Sequence, residues 1–280
     1  MITLLLTLNF LLMIVVPIVL ARKIAVTQRV GWELFGIGAV AFVLSQVGHL
    51  PFNWYVLQQS GWLEDSSLLV LSLFLGLSAG TFEGVARYLS LRFWARRARS
   101  WRQGLMVGMG HGGIEAILLG VLGLINFVIL FGLKEGHFQG ILATVPAEQL
   151  PLVDQQIEAL FSVSPSMAVQ GALERVFVLM VHLAATLLVL QALVRQKLRW
   201  LAAGILWHAL VDGALVYVVS VWGGIMAETV LGVLSLLSLG IVFGLRVPEP
   251  EEVVQPLPAL APLKALDVSV HSLEKSKYSN

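Results

Sequence analysis

Three pairs of ionisable side chains recur at a spacing of four residues inside otherwise apolar segments: Glu83 with Arg87, His111 with Glu115, and His208 with Asp212. Residues four apart lie on the same face of an α-helix, so the two members of each pair can act on one group. A further apolar segment contributes His182. Carboxylates and imidazoles activate water or hold a metal ion. Brought together, these residues would form a buried hydrolytic or metal-binding site.

The composition of the chain places these pairs in a membrane. The 280 residues are 58% hydrophobic and 12% charged, with a mean hydropathy of +0.86, which is unlike a soluble protein. The chain has no cysteine, which excludes thiolate nucleophiles and cysteine-type zinc sites, so His, Asp and Glu would have to hold any metal. The net charge of +1 gives no case for nucleic-acid binding.

Seven segments meet the requirement of about 20 largely apolar residues for crossing a bilayer. They are Ile2–Ala21, Trp32–His49, Ser67–Phe93, Gly104–Leu133, Ser166–Val194, Trp200–Trp222 and Gly223–Leu245. The first lacks a basic n-region, which favours a retained helix over a secretory signal. The sequence therefore predicts an all-α, polytopic membrane protein with about seven transmembrane helices.

The basic residues predict how this bundle is oriented. They concentrate in the loops after spans one, three and five, and the loop after span three holds five arginines between Arg92 and Arg102. Because Lys and Arg near span ends favour the cytoplasmic side, we expect the N-terminus outside and the C-terminus in the cytoplasm. Residues 1–245 then form one transmembrane domain. The proline-rich segment 246–280 is expected to be a disordered cytoplasmic tail.

The depth of the ionisable residues indicates that they can meet. Glu83, His111 and His208 each lie nine positions from the nearest basic residue at the cytoplasmic end of their spans, which is about 14 Å at the rise of a helix. His182 lies about 6 Å deeper, within side-chain reach of the carboxylates of the second and third pairs. We expect the first three residues to surround a small water-accessible cavity that opens toward the cytoplasm.

A structural explanation of the same residues stays open beside the chemical one. A Glu–Arg pair can satisfy both charges within one helix, and an intramembrane histidine can simply join two helices. We interpret Glu174 and Arg175, which lie nearer the outer surface, in this structural way. Charged groups inside a bilayer are costly, however, and several at one depth favour a functional site.

The motifs around these residues resemble the YhfC family of intramembrane proteases, relatives of the CAAX prenyl protease and bacteriocin-processing superfamily. FEGVARY (82–88) is similar to the EExxxR motif of that superfamily, GMGHGGIE (108–115) supplies the histidine of its second motif, and HALVD (208–212) is similar to its HxxxN/D motif. GHGGIE and ERVFVLMVH (174–182) are the stretches most specific to the YhfC family. The resemblance covers roughly residues 80–217.

Two positions depart from the superfamily pattern. Phe82 and Gly84 flank Glu83, so the paired glutamates are reduced to one, and Val107 replaces the aromatic residue four positions before His111. Glu115 is therefore an alternative to Glu83 as the acting carboxylate. The resemblance implies a hydrolase of a bacterial-type plasma membrane, with a catalytic bundle at about residues 67–222. Its substrate would be a peptide or a membrane protein, either membrane-associated or of the prenylated type.

Activated water is the expected nucleophile, because there is no cysteine and no convincing Ser–Lys or Ser–His pair. Together with the resemblance, this assigns Glu83 as general base, with His111 and His208 orienting the water or stabilising the oxyanion. Arg87 would position Glu83, and Asp212 would fix the tautomer of His208.

Glu115 and His182 complete the candidate site. Whether the enzyme is a glutamic or a metallopeptidase stays open, because two or three histidines and a carboxylate also form a plausible zinc set. In a metalloenzyme the ligands would be His111, His182 and His208.

Two other classes of protein fit the same residues. A proton-coupled transporter or ion pathway would relay protons through the Glu, His and Asp side chains, and a scaffold would use the pairs for assembly. A conduction pathway should continue to both faces of the membrane, whereas a peptidase site should stay within one layer.

Overall fold

The computed structural model of the protein describes residues 1–246, and the predicted tail beyond Arg246 lies outside this range. All regular structure in the described part is helical, which confirms the predicted all-α class. The α-helices are α1 (Ile2–Gln28), α2 (Trp32–Trp54), α3 (Leu68–Phe93), α4 (Trp101–Lys134), α5 (Gln139–Leu142), α6 (Leu150–Phe161), α7 (Gln170–Val194), α8 (Arg199–Trp222) and α9 (Gly224–Gly244). A π-helical turn, Tyr55–Gln59, continues α2.

Seven of these helices, α1 to α4 and α7 to α9, are long and apolar enough to cross a membrane, as predicted. The predicted end of span two at His49 is wrong, because helical structure runs without a break to Gln59. Hydropathy falls early in this span because Gln46, His49 and Asn53 interrupt it. These polar side chains bond to one another, so the helix continues past them.

Short polar caps begin the two helices that carry the first motifs. Ser67 accepts a hydrogen bond from the backbone N–H of Val70 at the start of α3. Ser100 and Gln103 form a reciprocal capping box at the start of α4, which satisfies two otherwise unpaired N–H groups. The arginine-rich connection between the end of α3 and the start of α4 is seven residues long, 94–100.

Helix α7 is the central helix of the bundle. About four fifths of its most apolar stretch is buried inside the protein, whereas the other six spans expose most of theirs. It packs against α1, α3, α4, α8 and α9. The most extensive contact between two helices joins α3 to α8. A side chain at Gly76 in this contact would collide with the backbone of Ala209 and Gly213. Helices α3, α4, α7 and α8 therefore surround one interior.

Glycines let α2 lie directly on α4. A Cβ atom at Gly38 would lie 2.0 Å from the carbonyl oxygen of Val107, and one at Gly110 would lie 2.0 Å from the carbonyl oxygen of Phe35. The two backbones therefore touch on the face of α4 that carries His111. Small residues allow such close approach between membrane helices.

We predict that Gly38→Ala destabilises the protein by about 1–3 kcal/mol, because the added methyl group overpacks a backbone contact. Gly36→Ala is the matched control on the same helix, since nothing lies within 4 Å of a Cβ at that position. Thermal unfolding in detergent measures both. Equal melting temperatures for the two variants would contradict the close contact of α2 and α4.

The loop charges predict the orientation of the bundle, which we propose as N-terminus outside. A reporter inserted at Gln103 is expected to be cytoplasmic, and one inserted within 148–151 is expected to be external. Labelling with a membrane-impermeant reagent in intact cells measures this. The opposite pattern of labelling would invert the proposed topology.

Candidate functional site

One carboxylate oxygen is the centre of the buried polar cluster. Glu83 Oε2 lies 3.0 Å from Arg87 Nη2, 3.1 Å from His111 Nε2, 3.5 Å from His208 Nε2 and 3.9 Å from His182 Nδ1. Arg87 shares α3 with Glu83, and the three imidazoles come from α4, α8 and α7. All five residues are at most 5% exposed. Four helices thus direct nitrogen atoms at one oxygen.

The hydrogen-bond partners of His182 define its tautomer. Arg87 Nη2 lies 2.6 Å from His182 Nδ1, and a guanidinium only donates, so Nδ1 is the acceptor. His182 Nε2 therefore carries the proton, which it donates to Glu115 Oε2 at 2.7 Å. Such a carboxylate contact orients an imidazole for its task on the other side of the ring.

Glu115 connects this centre to a second ion pair. Arg175 Nη1 donates to Glu115 Oε1 at 2.8 Å, and Arg175 also pairs with its neighbour Glu174. The structural interpretation of Glu174 and Arg175 stays a prediction, and the structure adds a contact of Arg175 with a residue of the cluster. Its seven-residue spacing from His182 was a visible signal, but the contact with α4 depends on the rotation of both helices.

His208 occupies a different position from His182. Its Nε2 lies 3.1 Å from Asp212 Oδ2 as well as 3.5 Å from Glu83 Oε2, and its Nδ1 has no hydrogen-bond partner among the described residues. Asp212 is more exposed than Glu115, with 36% of its side chain accessible against 19%. Asp212 thus borders the cluster on its more open side.

The structure brings all seven residues singled out from the sequence into one contiguous cluster: Glu83, Arg87, His111, Glu115, His182, His208 and Asp212. Sequence reasoning missed Gln46, whose Nε2 donates to Glu83 Oε1 at 3.3 Å. His49, the predicted last residue of span two, bonds to Gln46 inside α2. A glutamine and a histidine three residues apart in an apolar span were the available signal.

A buried apolar layer lies between the cluster and the arginine-rich ends of α3, α4 and α7. The expected cavity on that side stays a prediction. Buried apolar side chains fill this layer, namely Leu91, Met106, Val107, Leu183, Leu187 and Leu190. Of the buried hydroxyls there, Ser90 bonds within its own helix and Thr186 has no hydrogen-bond partner among the described residues. The partly exposed members of the network, Glu115, Glu174 and Asp212, lie toward the opposite end.

Part of the cluster has the donor chemistry of a metal site. Glu83, His182 and His208 each offer one ligand atom, and these atoms lie within 4.8 Å of one another. Two imidazoles and one carboxylate form a catalytic type of zinc set that leaves a fourth position open. This set differs from the expected three histidines, because Glu83 takes the place of His111. The residues present therefore fit a bound ion.

Arg87 contacts two of the atoms that would bind the ion. Its Nη2 contacts both Glu83 Oε2 and His182 Nδ1, while its Nε and Nη1 have no hydrogen-bond partner among the described residues. A cation held by Glu83 and His182 would therefore replace this guanidinium contact. The charge of Arg87 shows that the cluster already stabilises one cation.

The seven spans and the buried Glu/His cluster define an integral membrane protein with a candidate metal-dependent site. The chain belongs to the YhfC intramembrane metalloprotease family, whose family model matches residues 12–234. It is 34% identical over 185 residues to the uncharacterized membrane protein YhfC of Bacillus subtilis (strain 168), covering 64% of this chain and 70% of that protein. No solved structure matches the chain. The family predicted from the motifs is thus confirmed.

Proposed function

We propose that the protein is an intramembrane peptidase that hydrolyses peptide bonds of a membrane-associated peptide or membrane protein. The observation that supports this most is the convergence of three imidazoles and one guanidinium on Glu83 Oε2 inside the bundle. Burying so many ionisable groups in one membrane layer is expensive unless they have a task. The membership of a metalloprotease family favours the metal-dependent type over the glutamic type.

In this proposal Glu83, His182 and His208 hold the ion. A bound zinc ion would lower the pKa of its water and polarise the scissile carbonyl. Glu115 keeps the proton of His182 on Nε2, so Nδ1, which accepts from Arg87 in this structure, has the lone pair that an ion would bind. His111 donates to Glu83 Oε2 from Nε2 and thereby orients this carboxylate.

Asp212 is the carboxylate that we assign as proton acceptor for the attacking water. Both oxygens of Glu115 already accept hydrogen bonds, from Arg175 and from His182. In its described ion pairs, Asp212 uses only Oδ2, which contacts His208. Asp212 also borders the open side of the cluster. A base must lie within hydrogen-bond reach of the water that it deprotonates. This assignment takes the place of Glu83 and Glu115 as the expected base.

The direction of the polar network argues against a transmembrane proton pathway. A relay needs hydrogen-bonding groups from one face of the membrane to the other. Here the network reaches partly exposed side chains toward one end, through Glu115, Arg175 and Glu174. Toward the arginine-rich end, the buried apolar layer interrupts it. This arrangement suits a site that admits water from one side.

One experiment on a single preparation separates the peptidase from the transporter. Protein reconstituted in liposomes is incubated with a peptide library, and the same liposomes carry a pH-sensitive dye inside. We expect cleaved peptides in mass spectrometry and no proton flux above that of empty liposomes. Proton flux without any cleavage would favour the transporter and contradict the peptidase.

A further inference from the structure

We propose that Gln46 is a positioning residue for Glu83 and that His49 sets the orientation of Gln46. Neither residue belongs to the group that could hold an ion. The inference rests on the proposed function, because it assigns Glu83 a position that the reaction requires. It adds a fifth helix, α2, to the machinery that α3, α4, α7 and α8 form.

The two oxygens of Glu83 have different surroundings. Oε2 faces the nitrogen atoms of Arg87 and of the histidines, whereas Oε1 accepts a hydrogen bond from Gln46 Nε2 at 3.3 Å. A carboxylate held at both oxygens cannot turn about its Cγ–Cδ bond. Gln46 therefore keeps Oε2 directed at the imidazoles. Since its amide is neutral, it does so without adding a further charge to the cluster.

The amide of Gln46 has one chemically consistent orientation. The Glu83 carboxylate only accepts, so the NH₂ group of Gln46 must face it. The amide oxygen Oε1 then lies 3.2 Å from His49 Nδ1, which requires the proton of His49 to sit on Nδ1. His49 Nε2 is the acceptor, and Asn53 Nδ2 donates to it at 2.9 Å. Every link from Asn53 through His49 and Gln46 to Glu83 thus joins a donor to an acceptor.

The position of His49 is itself held by packing between α2 and α3. Its ring lies 5.6 Å from the ring of Phe82, centroid to centroid, and its Nε2 is also 3.2 Å from Ser78 Oγ. Gly48 allows this contact, because a Cβ atom there would lie 2.9 Å from the Phe82 ring. Phe82 precedes Glu83 directly in α3. His49 is therefore fixed against the same turn of helix that carries Glu83.

Replacement of Gln46 by Met removes the amide and keeps the length of the side chain. We expect peptide cleavage to fall by about 10- to 100-fold, as is typical when a partner that orients a ligand is lost. His49→Phe preserves the ring packing on Phe82 and should lower cleavage in the same direction but less. Because His49 acts only through Gln46, the double variant should equal Gln46→Met alone. Gln191→Met, at a glutamine of α7 bonded to Arg195, is the matched control.

A second readout uses chelator-treated, metal-free protein and does not depend on catalysis. Dicyclohexylcarbodiimide modifies carboxyl groups in apolar surroundings, and mass spectrometry reports the extent at each residue. We expect Gln46→Met to increase the modification rate of Glu83 several-fold, because Oε1 loses the amide that covers it. The rate at Glu115 in the same sample should not change, which distinguishes this effect from general loosening of the bundle.

The outcomes separate this inference from the proposed function. An unchanged ratio of Glu83 to Glu115 modification in Gln46→Met would overturn the role of Gln46, even if the wild type cleaves peptides. Multiplicative effects of Gln46→Met and His49→Phe would overturn the role of His49. A changed ratio in a protein that cleaves nothing would support the position of Gln46 and contradict the peptidase.

Discussion

Replacing Glu83 by Gln is expected to abolish peptide cleavage and metal binding together. The amide keeps the shape of the side chain but loses the negative charge at the point where three imidazoles converge. We expect cleavage to fall by about 10²- to 10⁴-fold. The zinc content of the purified variant should fall as well, and its melting temperature should fall because the buried Arg87 loses its charged partner. Kinetics, metal analysis and thermal unfolding of one preparation measure these three quantities.

The matched control for this variant is Glu228→Gln. Glu228 is also a glutamate in a spanning helix with a glutamine partner, since Gln170 Nε2 donates to it at 3.2 Å. It lies in α9, outside the cluster, so cleavage and zinc content should stay at the wild-type level. If Glu83→Gln instead keeps its zinc and loses only cleavage, Glu83 is the base and three histidines hold the ion. Full cleavage by Glu83→Gln would contradict both assignments.

Arg87→Ala is expected to have the largest effect on stability. It would leave Glu83 buried without the guanidinium that lies 3.0 Å from it, and His182 Nδ1 without its donor. Removal of one member of a buried ion pair typically costs about 3–5 kcal/mol. The melting temperature in detergent should therefore fall together with activity.

The control for Arg87 is Arg92, five residues further along α3. Arg92 is exposed and donates to the hydroxyl of Tyr88, so Arg92→Ala should change the free energy of unfolding by no more than about 0.5 kcal/mol. Addition of zinc to Arg87→Ala should restore part of the lost stability, because the ion supplies a positive charge to Glu83 and His182. An Arg87→Ala protein that melts like the wild type would show that the pair has no structural role.

Much of the fold and the cluster could be predicted from two features of the sequence, the length of its apolar runs and the spacing of its ionisable residues. Apolar runs of about 20 residues predict the spans, and the four-residue spacing places Glu83 with Arg87 and His208 with Asp212 on single helix faces. Depth counted along antiparallel helices then places these pairs in one layer. Charged side chains have the highest free-energy cost inside a bilayer, so these residues stand out in an apolar sequence.

The contacts between helices could not be predicted in the same way. Depth does not determine how each helix is rotated about its axis, so the bonds of Glu115 to His182 and Arg175 became visible only in the structure. Gln46 carries no charge, and its importance depends on a contact with another helix. The end of α2 was predicted too early because hydropathy does not register polar side chains that bond to one another.

Metal dependence of peptide cleavage tests the central claim most directly. Purified protein is treated with a chelator, dialysed, and then titrated with zinc while cleavage of one peptide is followed. We predict that cleavage is lost with the ion and returns at one zinc ion per chain in the wild type, but not in His182→Gln or His208→Gln. Undiminished cleavage by metal-free protein would contradict the assignment of Glu83, His182 and His208 as a metal-holding group.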